Sequence, residues 1–374
     1  MKAPLRNFII RGPTGIREAE TLVLGVGAAV RDTAGGLPEL VGTRVGETQL
    51  LPSGGDDTAA IAAALISGNQ VRLGPGTFLV SATLIVAGGS ISGCGTGLTT
   101  IQSSHAGTVL SIGTGGSQNP GVEQLTIRGP GESVIGSRGI LSGGSGVFVR
   151  NIRVEAVRTG ITLASAYSVV DNVFIGAVGT GLQVQGSGSV VSDVSVQGAS
   201  STALSVTAEA CALRAIRIEG CLAAGISIGG KSNSLAGARV ISCGNSITIT
   251  GQGVTVDATT VQGCTRGILV SAAQRVVLDA VSVLNTPNPL AITNSQAVTA
   301  TSFHSDLRQT SVDAPHVAVS ASPLVTLVSF LRINPTAVVL TFEADVAAAG
   351  SRVVFIQHNL DVTKVNSGGN FAAL

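Results

Sequence analysis

The residues of this 374-residue chain whose types and spacing could bind a charged ligand form one basic group. Arg217 and Arg239 lie 22 positions apart, and Glu219 follows Arg217 by two positions. The neighbouring basic residues are Arg214, Lys231 and Arg266. A guanidinium offers a planar fork that matches carboxylate oxygens, so this group could bind a carboxylated or sulfated polysaccharide. The alternative is a network of surface ion pairs with little energetic consequence.

The acids that could act on a glycosidic bond are Asp257 and Asp279, again 22 residues apart, and Asp171 and Asp193 have the same spacing. Common glycosidases use two carboxyl groups separated by about 5 to 5.5 Å or about 6.5 to 9.5 Å. All four aspartates precede a predicted strand, where Asp often hydrogen bonds its own backbone in a turn. Asp257 and Asp279 are therefore catalytic candidates, with a structural turn role as the alternative.

The sequence contains no pattern of residues typical of a metal or cofactor site. A calcium-dependent lyase would need clustered acids beside a Lys or Arg, and no predicted coil carries two acids and a base on one face. The four histidines share no metal-ligand spacing; they are His105, His304, His316 and His358. We therefore expect no cofactor and no bound metal.

A hydrophobic repeat of 21 or 22 residues positions these side chains between about residues 150 and 293. The inward positions of its first ladder are Val154, Ile175, Val196, Ile218, Val240, Val261 and Val283. Those of its second ladder are Leu163, Val184, Val206, Ile228, Ile249, Val270 and Ile292. A period this short, with alternating apolar residues, predicts a β-solenoid rather than a helical repeat.

The same alternation predicts which side chains point outwards. In the first ladder they include Arg153, Phe174 and Arg217, and an outward Phe on a solenoid flank is typical of an interface. In the second ladder they form an uncharged strip: Thr162, Gln183, Ser205, Ser227, Thr248, Leu269 and Ala291. Such a flat strip could pack against a sister chain or dock a glycan, and we favour the sister chain because binding sites are usually concave.

Three cysteines also follow the repeat. Cys221, Cys243 and Cys264 are 22 and 21 residues apart, which predicts one column on successive coils. Neighbouring strands lie about 4.8 Å apart, whereas disulfide Cβ atoms lie nearer 3.8 Å. We therefore predict buried, reduced thiols.

The N-terminal part departs from the repeat. A short helix is predicted near residues 16–24, and strand-like pieces near 39–45. The run Asp56-Asp57-Thr58 then predicts the cap of a helix whose apolar stripe is Ile61, Ala64 and Leu65. A helix there would cover the open first coil of the solenoid. Strands are predicted next at residues 71–73, 78–80, 83–86 and 90–92.

The segments DDTAAIAAAL, VRLGPGTFLVSATLIV and SISGCGTGLTTIQ resemble the start of the pectate-lyase-like right-handed parallel β-helix superfamily, in the version found in phage tailspikes. The resemblance covers about residues 54 to 103. It implies an all-β, right-handed, single-stranded parallel β-helix and a spike of a phage or of a phage-like particle such as a gene transfer agent. It does not imply an enzyme, because the superfamily contains lyases, hydrolases, epimerases and non-catalytic spikes.

Composition narrows the choice of partners. Charged residues make up 11% of the chain, and 22 Lys and Arg balance 21 Asp and Glu, which disfavours nucleic acid and anionic membranes. No run of 18 apolar residues predicts membrane insertion. Because the first residues lack the apolar core of a secretory signal, assembly in a bacterial cytoplasm is expected.

We thus predict three parts: an attachment segment at 1–54, a β-helix shaft at 55–316 and a C-terminal β-element at 317–374 for trimerisation or the tip. The predicted function is a homotrimeric spike or fiber on the surface of a virion or phage-like particle. Residues 1–54 would bind a particle base protein, the shaft would span distance, and the loops, such as that between Arg128 and Gly146, or the far end would contact host capsular polysaccharide. One alternative is a polysaccharide lyase or hydrolase with a site between subunits; another is a purely structural fiber.

Overall fold

A computed structural model shows the chain as an all-β, right-handed parallel β-helix with very little helix. The structure describes residues 8–12, 15–19, 29–31, 39–41, 47–66, 70–113, 120–307, 316–329, 331–333, 344–347, 352–356, 365–367 and 370–373. Each coil contributes strands to three parallel sheets, which we call sheets A, B and C in the order in which the chain visits them.

The strands of the three sheets follow. Sheet A contains Glu47–Leu50, Gln70–Leu73, Ser90–Ser92, Ala212–Arg214, Ser234–Ala236, Thr255–Asp257, Gln274–Asp279, Gln296–Thr301, Val325–Val328, Arg352–Ile356 and Asn370–Ala373. Sheet B contains Gly76–Val80, Thr99–Ser103, Arg217–Glu219, Arg239–Ile241, Thr260–Gln262, Ser282–Leu284, His304–Asp306 and Leu331–Ile333. Sheet C contains Leu84–Val86, Thr108–Ile112, Arg138–Ser142, Thr202–Val206, Ala224–Ile228, Asn245–Ile249, Arg266–Ser271, Leu290–Thr293, Val317–Ser320, Ala344–Ala347 and Val365–Ser367.

Four longer strands bend from one sheet into the next. Gly121–Arg128 and Val190–Gln197 belong to sheets A and B, and Phe148–Leu163 and Val169–Val184 run through all three. Two antiparallel pairs lie outside the coils: Phe8–Gly12 with Gly15–Ala19, and Ala29–Arg31 with Glu39–Val41.

Both predicted ladders are confirmed as buried inward columns. Val154 pairs in register with Ile175 in sheet B, and Leu163 pairs with Val184 in sheet C. Sheet A adds a third inward column, which the sequence analysis missed: Val149, Val170, Val191, Leu213, Leu235, Val256 and Leu278. This column was hard to recognise because the buried positions two residues earlier are often polar, as at Ser168, Ser189 and Asn233.

Each coil turns at three corners, and from residue 121 to residue 258 each corner uses a residue with positive φ. In one coil these residues are Asn151 (φ 51°), Ala156 (φ 56°) and Tyr167 (φ 58°). This left-handed conformation is unfavourable for most side chains and is best tolerated by Gly, Asn and Asp. Asn151 lies at the corner between sheets A and B, which we call the A–B corner.

The predicted cap is present as helix α1, Thr58–Ile66, with Ile61 and Leu65 buried. The Asp56 carboxylate accepts a hydrogen bond from the Thr58 backbone N–H (3.0 Å), which begins the helix. The helix packs against Leu84–Val86, in the place that a sheet C strand would take in a further coil. It therefore covers the apolar interior at the first coil.

The strands predicted after α1 are confirmed at Gln70–Leu73, Gly76–Val80, Leu84–Val86 and Ser90–Ser92. The helix predicted near 16–24 is wrong where the structure describes it, because Gly15–Ala19 is a hairpin strand; residues 20–24 lie outside the described residues. The strand-like pieces near 39–45 correspond in part to Glu39–Val41.

Strand pairing crosses both predicted domain boundaries. Glu47–Leu50 pairs in parallel with Gln70–Leu73, and Val317–Ser320 pairs in parallel with Leu290–Thr293. The strands up to Asn370–Ala373 continue the same stacks. The three-part division stays a prediction about function. In the described part of the chain, no helix is long and apolar enough to cross a membrane.

Candidate functional site

A cavity of about 740 Å³ opens at the A–B corner of the early coils. It is lined by Cys94, Gly95, Thr96, Gln124, Asn151, Ile152, Arg153, Asn172, Val173, Phe174, Asp193 and Ser195. The wall of the cavity nearest the N-terminal coils is a turn that contains Gly95 and Thr96. Two hydrogen bonds hold this turn, from Gly95 N to Gln124 O (2.8 Å) and from Thr126 Oγ1 to Thr96 O. We call the site the corner groove.

The polar side chains of the corner groove come from one column of corner residues. Gln124, Asn151, Asn172 and Asp193 all have positive φ, between 50° and 58°, and occupy equivalent positions on successive coils. The Asn172 amide donates to Asn151 Oδ1 at 2.8 Å. On the next coils the column continues as Ala215, Gly237 and Ala258, which carry no polar side chain. Further along, the column contains Ala280, Ser302 and Ser329. Among the described residues, the amide and carboxylate side chains of this column are thus confined to the corner groove.

Arg153 and Phe174 form the second side of the corner groove. They are in register on adjacent strands of sheet B, and the Arg153 guanidinium carbon lies 4.6 Å from the centroid of the Phe174 ring. This is cation–π geometry. Gly176 leaves space for the ring, since a Cβ there would lie 2.8 Å from a ring carbon. Phe174 is half-buried and borders a cavity, so its outward orientation is confirmed.

Glu155 fixes Arg153 in this position. Its carboxylate accepts hydrogen bonds from Arg153 Nε (2.9 Å) and Arg128 Nε (2.8 Å), and its side chain is 14% exposed. Burial by itself would raise the pKa of Glu155. The hydrogen bonds and positive charges of the two arginines outweigh burial, and the pKa of Glu155 lies below its usual value. Glu155 is therefore a carboxylate at neutral pH.

A second cavity of about 540 Å³ continues the corner groove across sheet B. It shares Arg153 and Phe174 with the first cavity and adds Glu132, Glu155, Gly176, Ala177, Gln197 and Gly198. We call the two cavities together the binding groove. The sequence predicts no coil with two acids beside a base on one face, and Glu132 lies on a different coil from Glu155 and Arg153. The segment 129–137, which we call the insertion, makes its coil six residues longer than the next and brings Glu132 to the cavity that Glu155 and Arg153 border.

The insertion is shorter than the predicted loop from Arg128 to Gly146, because Arg138–Ser142 is a sheet C strand paired with Thr108–Ile112. The Ser137 hydroxyl donates to the Val134 carbonyl (2.8 Å) and accepts from the Arg158 backbone N–H (2.8 Å), which ties the insertion to the next coil.

The basic residues predicted to bind glycan lie outside the binding groove and on different sheets. Arg217 and Arg239 are in register in sheet B, and Arg217 Nη2 is 3.3 Å from Glu219 Oε2. Arg214 belongs to sheet A and Arg266 to sheet C. Lys231 lies at the C–A corner, 3.7 Å from Glu209. The structure therefore brings Arg217 and Arg239 together, with Arg214 at the neighbouring corner.

The catalytic candidates Asp257 and Asp279 are in register in sheet A. Asp279 Oδ1 accepts hydrogen bonds from the Thr301 hydroxyl and from the Ala280 backbone N–H, as a structural residue does. The predicted stack of Asp171 on Asp193 is wrong. Asp171 pairs with Ser192, because this coil has 21 residues, and Asp193 falls one position later at the corner.

The predicted cysteine column is confirmed. Cys221, Cys243 and Cys264 are buried and free, and the Cys243 backbone N–H donates to Cys264 Sγ at 3.3 Å. A thiolate at Cys243 would accept S–H hydrogen bonds from both neighbours, which lowers the pKa of Cys243. The pKa values of Cys221 and Cys264 are raised, because their thiols donate to Cys243 and are buried.

The uncharged strip lies on sheet C as its register requires. Thr162 is buried, and its hydroxyl donates to Gln183 Oε1 (3.3 Å), while the other side chains of the strip are half-buried. Among the described residues, no group of three or more His, Cys, Asp or Glu side chains is arranged to hold a metal ion.

No protein-family model matches the chain, and no curated protein matches its sequence. Its fold is similar to that of the A-module of the mannuronan C-5 epimerase AlgE6 from Azotobacter vinelandii (TM-score 0.58, 14% identity, 85% of this chain and 96% of that one). It is also similar to the Dettilon tailspike protein (TM-score 0.56, 14% identity, 87% and 68%). A mannuronic acid specific polysaccharide family 6 lyase from human gut microbiota gives a TM-score of 0.55 at 12% identity, over 88% and 91%. At these identities the likeness shows the fold, a right-handed parallel β-helix.

Proposed function

We propose that this chain is a polysaccharide-binding spike or fiber protein that attaches a phage or phage-like particle to capsular polysaccharide on its host. The observation that carries the proposal is the binding groove, in which corner amides, the Asp193 carboxylate and the Arg153–Phe174 pair face one concave surface.

The chemistry of the binding groove suits a sugar chain. Each Asn or Gln side chain offers both donors and acceptors, as a hydroxyl does, so Gln124, Asn151 and Asn172 can bond sugar hydroxyls in either direction. The larger cavity, about 740 Å³, has the size of a typical ligand site, about 300 to 1,000 Å³. Because the polar residues repeat on successive coils about 4.8 Å apart, a chain molecule could contact several coils at once.

The β-helix suits a spike. Its strands pair with the coils above and below from Glu47–Leu50 to Asn370–Ala373, which makes a rigid rod. The similar fold of a tailspike protein supports this role. In the proposed assembly three chains associate, residues 1–54 bind a base protein, and the spike lies on the particle surface. A native mass of three chains is the expected result.

One alternative activity, glycan hydrolysis, would require a carboxyl group that stays protonated as a general acid. Glu155 does not fit this role, because its two arginine partners hold its pKa below the usual value. Glu155 is therefore assigned to holding the arginines rather than to hydrolysis. A site between subunits that uses Asp257 or Asp279 stays open, and a reducing-end assay on the bound polysaccharide tests it.

The deciding experiment measures binding of the whole chain to a panel of capsular polysaccharides by biolayer interferometry. Arg153→Ala removes the guanidinium from the binding groove, and Arg217→Ala removes the equivalent guanidinium three coils further on, in the same sheet B column. We expect Arg153→Ala to weaken binding by about tenfold, equivalent to about 1.4 kcal/mol, and Arg217→Ala to leave it unchanged.

The reverse result would assign binding to the Arg217 and Arg239 surface. Two results together would favour the purely structural fiber. The chain would bind no polysaccharide of the panel, and a particle that carries Arg153→Ala would still adsorb to its host.

A further inference from the structure

The charges that line the binding groove are mainly negative. Its side chains include one guanidinium, Arg153, and three carboxylates, Asp193, Glu132 and Glu155. Arg128 adds a second positive charge beside Glu155, and both of these arginines are engaged by that carboxylate. Acids thus outnumber bases even when Arg128 is included.

The residues of sheet A that border the binding groove do not change its excess of acidic over basic side chains. The column beside the corner residues contains Glu123, Arg150 and Asp171 on successive coils, so one arginine lies between two acids. Arg150 also stacks on the ring of Phe148, 5.4 Å from its centroid. A polyanion approaching the binding groove would therefore meet Arg128 and Arg153 already paired with Glu155, Arg150 stacked on Phe148, and a surplus of negative charge.

Asp193 lies at the end of the polar corner column with unused acceptors. It is exposed, it borders the larger cavity, and no described residue donates a hydrogen bond to its carboxylate. A free carboxylate binds a pair of neighbouring sugar hydroxyls well, because each O–H···O⁻ bond is charge-assisted. A carboxylate on the ligand, in contrast, would be repelled at this position.

Resting on the proposed function, we infer that the binding groove selects a neutral, hydroxyl-rich glycan and rejects polyuronates. In this respect the chain differs from two proteins of similar fold whose names specify mannuronan and mannuronic acid. Asp193 accepts hydroxyl hydrogen bonds, and the amides of Asn151 and Asn172 bond further hydroxyls. The ion pair with Glu155 weakens the attraction of the Arg153 guanidinium for a uronate.

The test compares matched polymers. Polygalacturonate and the same polymer after chemical reduction of its carboxylates to CH₂OH groups differ only at C6, where a charged acceptor becomes a neutral hydroxyl. A panel of neutral and acidic capsular polysaccharides is measured beside them. Binding of the whole chain is recorded at low and at high ionic strength, because salt screens exposed charges over about 10 Å.

The informative variant is Asp193→Asn. Asn already occupies the equivalent corner positions, Asn151 and Asn172, with the same positive φ, so the variant should fold. Glu219→Gln, outside the binding groove, makes the same change in charge and serves as the matched control. We expect Asp193→Asn to weaken binding of neutral glycans and to strengthen binding of polyuronate about three- to tenfold at low salt, with no gain at high salt.

The outcomes separate the two proposals. Tighter binding of an acidic polymer than of its reduced form, lost in Arg153→Ala, would overturn the charge selection and retain polysaccharide binding. An unchanged or weaker affinity of Asp193→Asn for polyuronate would also overturn the selection. Failure to bind every member of the panel would overturn the proposed function, and the selection with it.

Discussion

Replacement of Glu155 by Gln should loosen Arg153 and weaken glycan binding without unfolding the chain. Glutamine retains one acceptor oxygen but presents an NH₂ group to a guanidinium, so it cannot serve Arg128 and Arg153 together. The arginine side chains are 52% and 47% exposed, so solvent screens both ion pairs. Each pair then contributes about 0.5 to 1 kcal/mol to the free energy of unfolding.

The loss of binding follows from the released arginine. Arg153 held over Phe174 gains about 0.5 to 1 kcal/mol from the ring, and a mobile side chain must be ordered again when the ligand binds. We expect affinity to fall about five- to tenfold and unfolding free energy to fall by about 1 to 2 kcal/mol. Calorimetric titration with the bound polysaccharide and urea unfolding measure the two quantities.

The matched variant is Glu219→Gln. Glu219 occupies the same sheet B column as Glu155 and pairs with Arg217 at 3.3 Å, but both side chains are about half exposed and outside the binding groove. It should change affinity less than about twofold and stability by less than about 0.5 kcal/mol. Equal losses of affinity in the two variants would refute the reasoning, as would a loss in Glu219→Gln alone.

The pH dependence has a definite sign. The pKa of Glu155 in the folded chain is below its ordinary value of 4.5, so the unfolded chain binds the proton more readily. The stability that Glu155 contributes is therefore complete above about pH 4.5 and is lost as the pH falls through the folded pKa. The stability difference between the wild type and Glu155→Gln should shrink on acidification below 4.5.

Two further predictions concern other features. Cys94 is the one cysteine of the described residues that is not fully buried, and it lines the corner groove. A maleimide should therefore modify Cys94 faster than the other four cysteines. Bound glycan should slow the reaction at Cys94. An unprotected Cys94 in the saturated complex would contradict binding at the corner groove. Gly186→Ala should lower the free energy of unfolding by about 1 to 3 kcal/mol, because the added Cβ would lie 1.7 Å from the Ser165 carbonyl oxygen. The control is Gly97→Ala, where the added Cβ meets open space, and it should lower the free energy of unfolding by less than about 0.5 kcal/mol. Denaturant titration measures both values.

Much of the architecture was predictable because the coils between about residues 150 and 293 have nearly constant length. A column then follows from counting 21 or 22 residues, as the pairing of Arg217 with Arg239 and the column of Cys221, Cys243 and Cys264 demonstrate. The cap was predictable because helix α1 depends on local signals, Asp56 at its start and the apolar pair Ile61 and Leu65.

The binding groove was not predictable by counting, because the earlier coils vary in length. Gln124 and Asn151 are equivalent although 27 residues separate them, and Arg128 bonds Glu155 across the same interval. One sequence signal was visible, the polar residues Asn172 and Asp193 before a strand, but a single shift of register assigned Asp193 to the wrong column.

The sequence by itself determined a β-helix with an apolar interior, since alternation and period are local properties of the chain. Only the tertiary structure decided where a ligand could bind. The insertion 129–137 changes the register between coils, and backbone pairing across it brings Gln124, Arg128 and Glu132 to the coils that carry Arg153 and Phe174. Side chains from different coils meet there because hydrogen bonds between strands, rather than a fixed interval in the sequence, set their alignment.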